Sequence, residues 1–531
     1  MADFGAEFLH ISSSRSLGEI PDELESGGAM HIPRAYPRFT QYAAGKPLVI
    51  KRVPTHARHA LFTVHGNERS HKYGLVDAVH QNVRKLRDKG LGSEDALVVL
   101  ASRQYASWLQ DNQFMSALVE PFAAEFSPKS PPKDINVLAA AVDGLHPLRA
   151  FGNTPHGFSF YYGPMKAMMP NLWQDDQPKS SRESKLQTAI SFHFSTYGEY
   201  ATKVNCTLPL ANTIFQNGLQ STLLASRWRR SGPRTALELA HVTEKQSQDV
   251  TCWDPHRDVA VFIESPLVPI TAPRKILTGL GNIIRQVEVD GKETPASAEL
   301  EKAVNELYAR RTKEGHEFPP GPVGVWAIVL PPGPRQTPDL ELLQQWSESS
   351  DRVHTVYEEW EEALESKRLV QKLLRHGGRV YKILSGGGGW GKKQGLLSLD
   401  PETTYSSSSE EEDLDSFIRS FESQHDGGAQ QGVVAPGSYI QYFVTAPMSA
   451  RPNVSRPDGA TLNIAFGTSE SAISEAPLST DGPSDWKVVP EHFGAVSSHG
   501  LFIKSQVNDF TSESKLDAPG SWVGYLKLGN P

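Results

Sequence analysis

The chain has 531 residues, which at about 150 per domain suggests three or four units. It carries 53 Lys and Arg against 61 Asp and Glu, a net charge of −8, so no global basic field draws it to nucleic acid or an anionic membrane. Two cysteines exclude a disulfide scaffold or a disulfide-linked partner and favour a reducing, intracellular setting. No apolar run reaches the roughly 18 residues that a membrane-spanning helix requires.

From Met1 to Glu25 the sequence is acidic and unlike a secretory or organellar leader. From Met30 to Asn67 it turns acid-free, with Arg34, Arg38, Lys46, Lys51, Arg52 and Arg58. An internal start at Met30 would give this stretch the character of a mitochondrial leader. Pro33, Pro37, Pro47 and Pro54 argue instead for a basic extended arm. Both readings stand, so the address is intracellular, with mitochondrion or cytoplasm open.

An apolar run at Ala60–Val64, ending in His65-Gly66, reads as a strand. Helical spacing follows over Gly74–Lys89, then strand-length runs at Ala96–Ala101 and Val137–Val142 flank a helical stretch, Tyr105–Phe126. Fully apolar strands separated by helices point to parallel pairing under covering helices. The period then changes. Ile190, Phe192 and Phe194 alternate with polar residues, as do Val204, Cys206 and Leu208. Asn217-Gly218, between Thr213–Gln216 and Leu219–Ala225, predicts a hairpin with a type I′ turn. Further strands are expected at Val259–Ile263 and over Ile276–Val289. A long helix is expected after Thr294-Pro295, stopping at Gly315.

Val323–Leu330 reads as a buried strand, followed by helices over 338–347 and 351–376. Residues 402–432 hold Ser406–Ser409 directly before Glu410, Glu411, Glu412 and Asp413. This composition predicts a disordered acidic insertion, and the serines resemble an acid-directed kinase site. Short strands close the chain at Ser438–Thr445, Leu462–Phe466, Leu501–Ser505 and Trp522–Leu526. The expected class is α+β: a flexible basic arm (1–57), an α/β unit (58–150), a mainly β unit with one long helix (151–335) and an α+β unit (336–531). The last unit holds a Gly-rich loop at 385–395 and the insertion.

Three constellations bear on chemistry. Gly386, Gly387, Gly388, Gly389, Gly391, Lys392 and Lys393 follow an apolar strand and fit the front of a phosphate-binding loop, G-x-x-x-x-G-K. Lys393 stands where Ser or Thr would hold magnesium, and no helix pattern follows. Anion binding without hydrolysis competes here with a tight backbone crossing anchored by Trp390. Arg227, Trp228, Arg229, Arg230 and Arg234 form the densest basic stretch, where a solvated strand end, the commoner arrangement, competes with a patch that holds RNA phosphates and stacks a base. Pro273-Arg274-Lys275, before Gly279-Leu280-Gly281-Asn282, would offer an anion the amino end of a helix over Ile283–Val287.

His56, His59, His65, His71 and His80 cluster in sequence without metal-ligand spacing, so no metal or cofactor is expected. HExxH, CxxC and G-x-S-x-G are absent from the sequence. The strings SGGGGWGKKQGLLSLDP, PLANTIFQNG and PRKILTGLGNIIRQV resemble a family of uncharacterised fungal proteins, and the resemblance implies no activity, cofactor or partner. The expectation is a non-catalytic binding or assembly factor whose partner is a protein, RNA or a ribonucleoprotein. The alternative is an enzyme or sensor that binds a nucleotide or other phosphorylated small molecule at Gly386–Lys393.

Overall fold

The computed structural model describes residues 59–66, 70–123, 134–147, 154–174, 187–195, 202–232, 235–252, 259–314, 324–332, 370–374, 376–386, 395–403, 405, 434–445, 461–469, 486–507 and 510–527. Strand β1 (Ala60–Gly66) leads through helix α1 (Lys72–Asp88) to β2 (Ala96–Ser102). A 3-10 helix η1 (Arg103–Gln110), helix α2 (Asn112–Val119) and a 3-10 turn (Glu120–Phe122) then lead to β3 (Ile135–Val142). Strand β4 (His156–Gly163), the one-turn helix α3 (Met165–Met168), β5 (Ala189–Ser195), β6 (Thr202–Pro209) and the one-turn helix α4 (Ile214–Asn217) come next. They are followed by β7 (Leu223–Arg230), β8 (Leu237–Glu244), β9 (Ser247–Thr251), β10 (Val259–Glu264), β11 (Leu267–Pro269), β12 (Arg274–Leu280), β13 (Ile283–Val289) and β14 (Lys292–Pro295). Helix α5 (Ala296–Lys313) precedes β15 (Val325–Leu330), β16 (Arg379–Gly386), β17 (Leu397–Leu399), β18 (Tyr439–Thr445) and β19 (Thr461–Thr468). The last strands are β20 (Lys487–Pro490), β21 (Phe493–Ser497), β22 (Leu501–Val507), β23 (Phe510–Leu516) and β24 (Trp522–Lys527).

The class is α+β, as the pattern of elements predicts, and it is weighted towards β. The first sheet has the order β20-β1-β4-β2-β3-β7-β8. Strands β2 and β3 pair in parallel, as their apolar runs predict. Strand β4 intervenes antiparallel between β1 and β2, which corrects the expectation of an uninterrupted parallel unit. The helical stretch 105–126 is broken into three pieces, with Asp111 capping α2 by accepting the N–H groups of Gln113 and Phe114. Helices α1 and α2 cover one face of this sheet, where Leu75, Val79 and Val83 of α1 meet Phe62, Val64 and Phe160 in one apolar cluster. The other face is covered by strands, because Val98, Leu138 and Tyr161 share a cluster with Phe192, Phe466 and Phe493.

Two smaller sheets run β10-β24-β19-β21 and β23-β22-β6-β5-β9. Strands β18, β12, β13, β17, β16 and β15 form a ring, closed where β15 pairs with β18. Helix α5 seals it through Ala296 and Leu300, and Glu299 accepts from Arg274 at 2.8 Å. Pairing crosses the boundaries expected at 150 and 335. The first sheet draws β1–β3 from the first segment, β4, β7 and β8 from the second, and β20 from the last.

Other corrections are local. Ile283–Val287 is part of strand β13, not a helix, so it offers no helix terminus to an anion. Asn217-Gly218 closes the one-turn helix α4, with only Gly218 at positive φ (80°), and the flanking strands β6 and β7 enter different sheets instead of forming a hairpin. Pro295, not Thr294, occupies the N-cap of α5. The acidic insertion begins later than 402: Glu402 and Asp400 pair with Lys515, Thr403 is buried, and the Tyr405 ring lies 5.5 Å from Phe502. Residues 406–432, the expected helix over 338–347 and the arm 1–57 lie outside the described residues. Of the helix expected over 351–376, residues 370–374 are described and helical. Among the described residues no helix is long and apolar enough to cross a membrane.

Candidate binding groove and polar seam

Strand β7 (LLASRWRR) alternates between two environments. Leu224, Ser226 and Trp228 face the helix side, while Leu223 and Ala225 join the strand-covered core. Trp228 is 2% exposed and its indole N–H donates to Ser226 Oγ at 2.9 Å, so it cannot stack a base. The arginines around it are engaged. Arg229 holds Asp134 in a two-pronged pair at 2.6 and 2.8 Å, and Arg230 holds Glu120 at 2.6 Å. The Arg227 guanidinium lies 4.4 Å over the Trp173 ring. Two of the three described arginines of the basic stretch are thus paired with carboxylates and the third lies over an aromatic ring, the arrangement of a solvated strand end; Arg234 lies outside the described residues.

Beside this strand end lies a groove of about 660 Å³. Leu224, Trp228, Leu239 and Val242 give it an apolar floor, Leu109 of η1 forms a wall, and Glu244 stands at the rim. Val242 is 48% exposed. Helix α4 also lies against η1 and presents Phe215, 96% exposed, and Ile214, 50% exposed. Polar residues hold this tip in shape. Asn212 Oδ1 accepts the Ile214 N–H at 3.0 Å, Thr213 and Thr222 hydroxyls lie 2.8 Å apart, and Asn217 donates to Thr222 at 2.8 Å. The string PLANTIFQNG thus builds a braced turn that holds two apolar side chains in solvent. In sequence its Asn-Gly pair imitates a hairpin.

A second polar region lies between the first sheet and β21. The side chains of β1 alternate, so Thr63 and His65 face away from the helices. Thr63 Oγ1 lies 3.3 Å from His65 Nε2 and 3.3 Å from His492 Nδ1. His492 sits where the chain crosses from β20 to β21, next to Glu491 in a left-handed conformation (φ 53°) whose N–H donates to Leu61 O. Burial, reinforced by His146 and His65, pushes the His492 pKa down to about 3; burial and Lys487 push that of His65 down to about 4. Both imidazoles are neutral at pH 7. His492 Nε2 has no hydrogen-bond partner among the described residues. The His146 ring lies 6.4 Å from His492, and its Nδ1 donates to Pro147 O at 2.7 Å. At the seam's open end the Ser498 hydroxyl and N–H donate to Asp143 at 2.9 and 2.8 Å, and His499 Nδ1 lies 3.3 Å from Ser498 Oγ.

A Ser-His-Asp triad places an imidazole between serine and carboxylate, whereas Ser498 donates directly to Asp143. The other histidines near β1 are scattered: His71 caps α1, His80 donates to Ala117 O at 2.9 Å, and His59 stacks at 6.1 Å on Tyr161. Among the described residues no three His, Cys, Asp or Glu side chains gather as a metal site would require. Cys206 and Cys252 are buried free thiols whose pKa values burial pushes upwards.

Gly386 ends β16 and stands opposite Leu397 of the antiparallel β17, so the Gly-rich loop connects two hairpin strands. A phosphate-binding loop of the hydrolase type runs from a strand into a helix; here the described chain resumes at Gly395 and enters strand β17. Gly387, Gly388, Gly389, Gly391, Lys392 and Lys393, with Trp390, lie outside the described residues. Comparison of the chain with protein-family models, with characterised proteins and with solved structures gives no match.

Proposed function

We propose that this chain is a non-catalytic binding or assembly component inside the cell, and that it recognises a protein partner through the groove at the end of the first sheet and the neighbouring α4 tip. The observation that carries this reading is Phe215, held almost fully in solvent by a braced turn against the 3-10 helix η1, which also lines an apolar groove. An exposed aromatic maintained at the expense of solvation is what a binding anchor requires. Protein replaces RNA as the expected partner because Trp228 is buried and Arg227, Arg229 and Arg230 already have partners. The direct Ser498–Asp143 contact, with no imidazole between hydroxyl and carboxylate, supports a role without catalysis.

The test is quantitative cross-linking of the tagged chain in its native cells, comparing wild type with Phe215→Asp and Val242→Asp. A specific partner should be lost from both variants while their melting temperatures stay unchanged, since surface substitutions lie within about 0.5 kcal/mol. A partner set identical in all three proteins would refute the reading.

A further inference from the structure

Strand β8 ends the first sheet, and among the described residues no strand pairs with its outer edge. Glu238, Ala240, His241, Val242 and Glu244 on it are exposed. Its pairing with β7 slips once: Leu239 stands opposite Trp228 and His241 opposite Arg227, so Ala240 is the extra residue of a bulge. Beyond the bulge, Val242 and Glu244 stand opposite Ser226 and Leu224. The bulge therefore brings Leu239, Val242 and Glu244 onto the groove face, where all three line the groove.

The charge at this rim is uncompensated. Among the described residues no ion pair joins Glu244; the arginines of β7 contact Asp134, Glu120 and the Trp173 ring, and the neighbouring Lys245 donates to Gln174 O at 2.9 Å. An edge strand without a strand neighbour on its outer side among the described residues, with two apolar side chains and a carboxylate, specifies both the form and the chemistry of what completes it.

The geometry points to strand addition: an extended segment of a partner protein pairs antiparallel with the outer edge of β8, with a Lys or Arg opposite Glu244 and apolar residues opposite Val242 and Leu239. This rests on the protein-partner reading above and specifies the partner's chemistry. Strand β7 already meets these positions from the inner side with residues two apart, at 224, 226 and 228. An added strand running the same way repeats that spacing, which gives the recognition pattern basic-x-apolar-x-apolar. A second copy of the chain is disfavoured as the occupant, because β8 (LELAHVTE) contains no Lys or Arg to place against Glu244.

Short fluorescent peptides built round Lys-Thr-Val-Thr-Val and Glu-Thr-Val-Thr-Val, titrated against the full chain by anisotropy, test this. The lysine peptide should bind saturably and up to about fivefold tighter than the glutamate peptide, the value of a favourable cross-strand pair. Glu244→Lys should reverse that preference. Val242→Asp should remove most binding of both peptides while circular dichroism stays unchanged. Equal binding of the two peptides, no saturation by the lysine peptide, or binding indifferent to Val242→Asp would overturn strand addition. So would self-association on size-exclusion chromatography that Val242→Asp abolishes, since that assigns the edge to a second copy. Failure of the peptides with cross-linking still dependent on Phe215 and Val242 would remove strand addition and leave the protein-partner reading in place.

Discussion

The first sheet has two faces, and strands β1 and β4 write both with alternate residues. Towards the helices they place Phe62, Val64, Phe158 and Phe160; Phe62 and Phe160 stack at 4.8 Å, and Phe122 joins them at 6.2 Å. Towards β21 the same strands place Thr63, His65 and Ser159, and Ser159 Oγ accepts the Gly494 N–H at 3.0 Å. One face is held chiefly by shape and dispersion, its one buried hydroxyl on these two strands, that of Tyr162, donating to Phe122 O at 3.1 Å. The other combines an apolar cluster with a seam of hydrogen bonds that fix where β21 crosses β1 and β4. The aromatic face should therefore respond to lost volume, and the seam to lost partners and to protons.

The largest effect is expected on the aromatic face. Phe160→Ala should lower unfolding stability by about 3–5 kcal/mol in urea titrations, because its ring is fully buried and stacked. A loss below about 1 kcal/mol would mean that the helices collapse into the gap. Next comes Thr63→Val, nearly the same shape, which removes the hydroxyl shared by His65 and His492. It should cost about 1–3 kcal/mol, the penalty for buried polar atoms left unpaired. Equal stability of Thr63→Val and wild type would show that the seam contributes nothing.

Proton uptake separates the faces further. The pKa values of His65 and His492, about 4 and about 3, lie below the ordinary 6.5, so the unfolded chain binds more protons than the folded one as the solution acidifies. Their stabilising contribution is complete above pH 6.5 and is lost as pH falls towards those values. Between pH 6.5 and 5, above the range of ordinary carboxylates, stability should fall with a slope of up to about 1.4 kcal/mol per pH unit for each imidazole. His492→Gln should flatten that slope, as urea titrations across this window would register; Phe160→Ala should shift the whole curve without changing its slope. The smallest effect belongs to the solvent side. Arg229→Ala removes an exposed pair with Asp134 and should change stability by less than about 1 kcal/mol by thermal denaturation.

What the sequence disclosed follows the same division. Apolar runs and periodicity located β1, α1, β2, β3, β5 and β6, because burial on a face leaves a period in the residues themselves. Partnership leaves no such trace. Nothing in His156–Gly163 announces that it inserts between β1 and β2. Asp134 and Arg229 meet across 95 positions, and Thr63 and His492 across 429. His65 was legible as a histidine closing a strand, but the rest of its hydrogen-bonded chain was not. The basic stretch shows the same limit: its positive charges are visible locally, while Asp134, Glu120 and Trp173, which contact them, are distant in sequence. The groove was hidden by a bulge, which places Leu239 and Val242 on one face at a spacing that normal alternation would put on opposite faces.

The strand that flanks β1, β20, carries a consequence for biosynthesis. Residues 487–490 supply the outer neighbour of a strand made more than four hundred residues earlier. At the ribosome's pace of about 5–20 residues per second, the edge of β1 waits some tens of seconds for that neighbour. Throughout that interval the nascent chain carries an unpaired, apolar strand edge, the kind of surface on which growing chains associate wrongly. Production of this protein should accordingly depend on chaperone supply during translation more than on the strength of the finished fold.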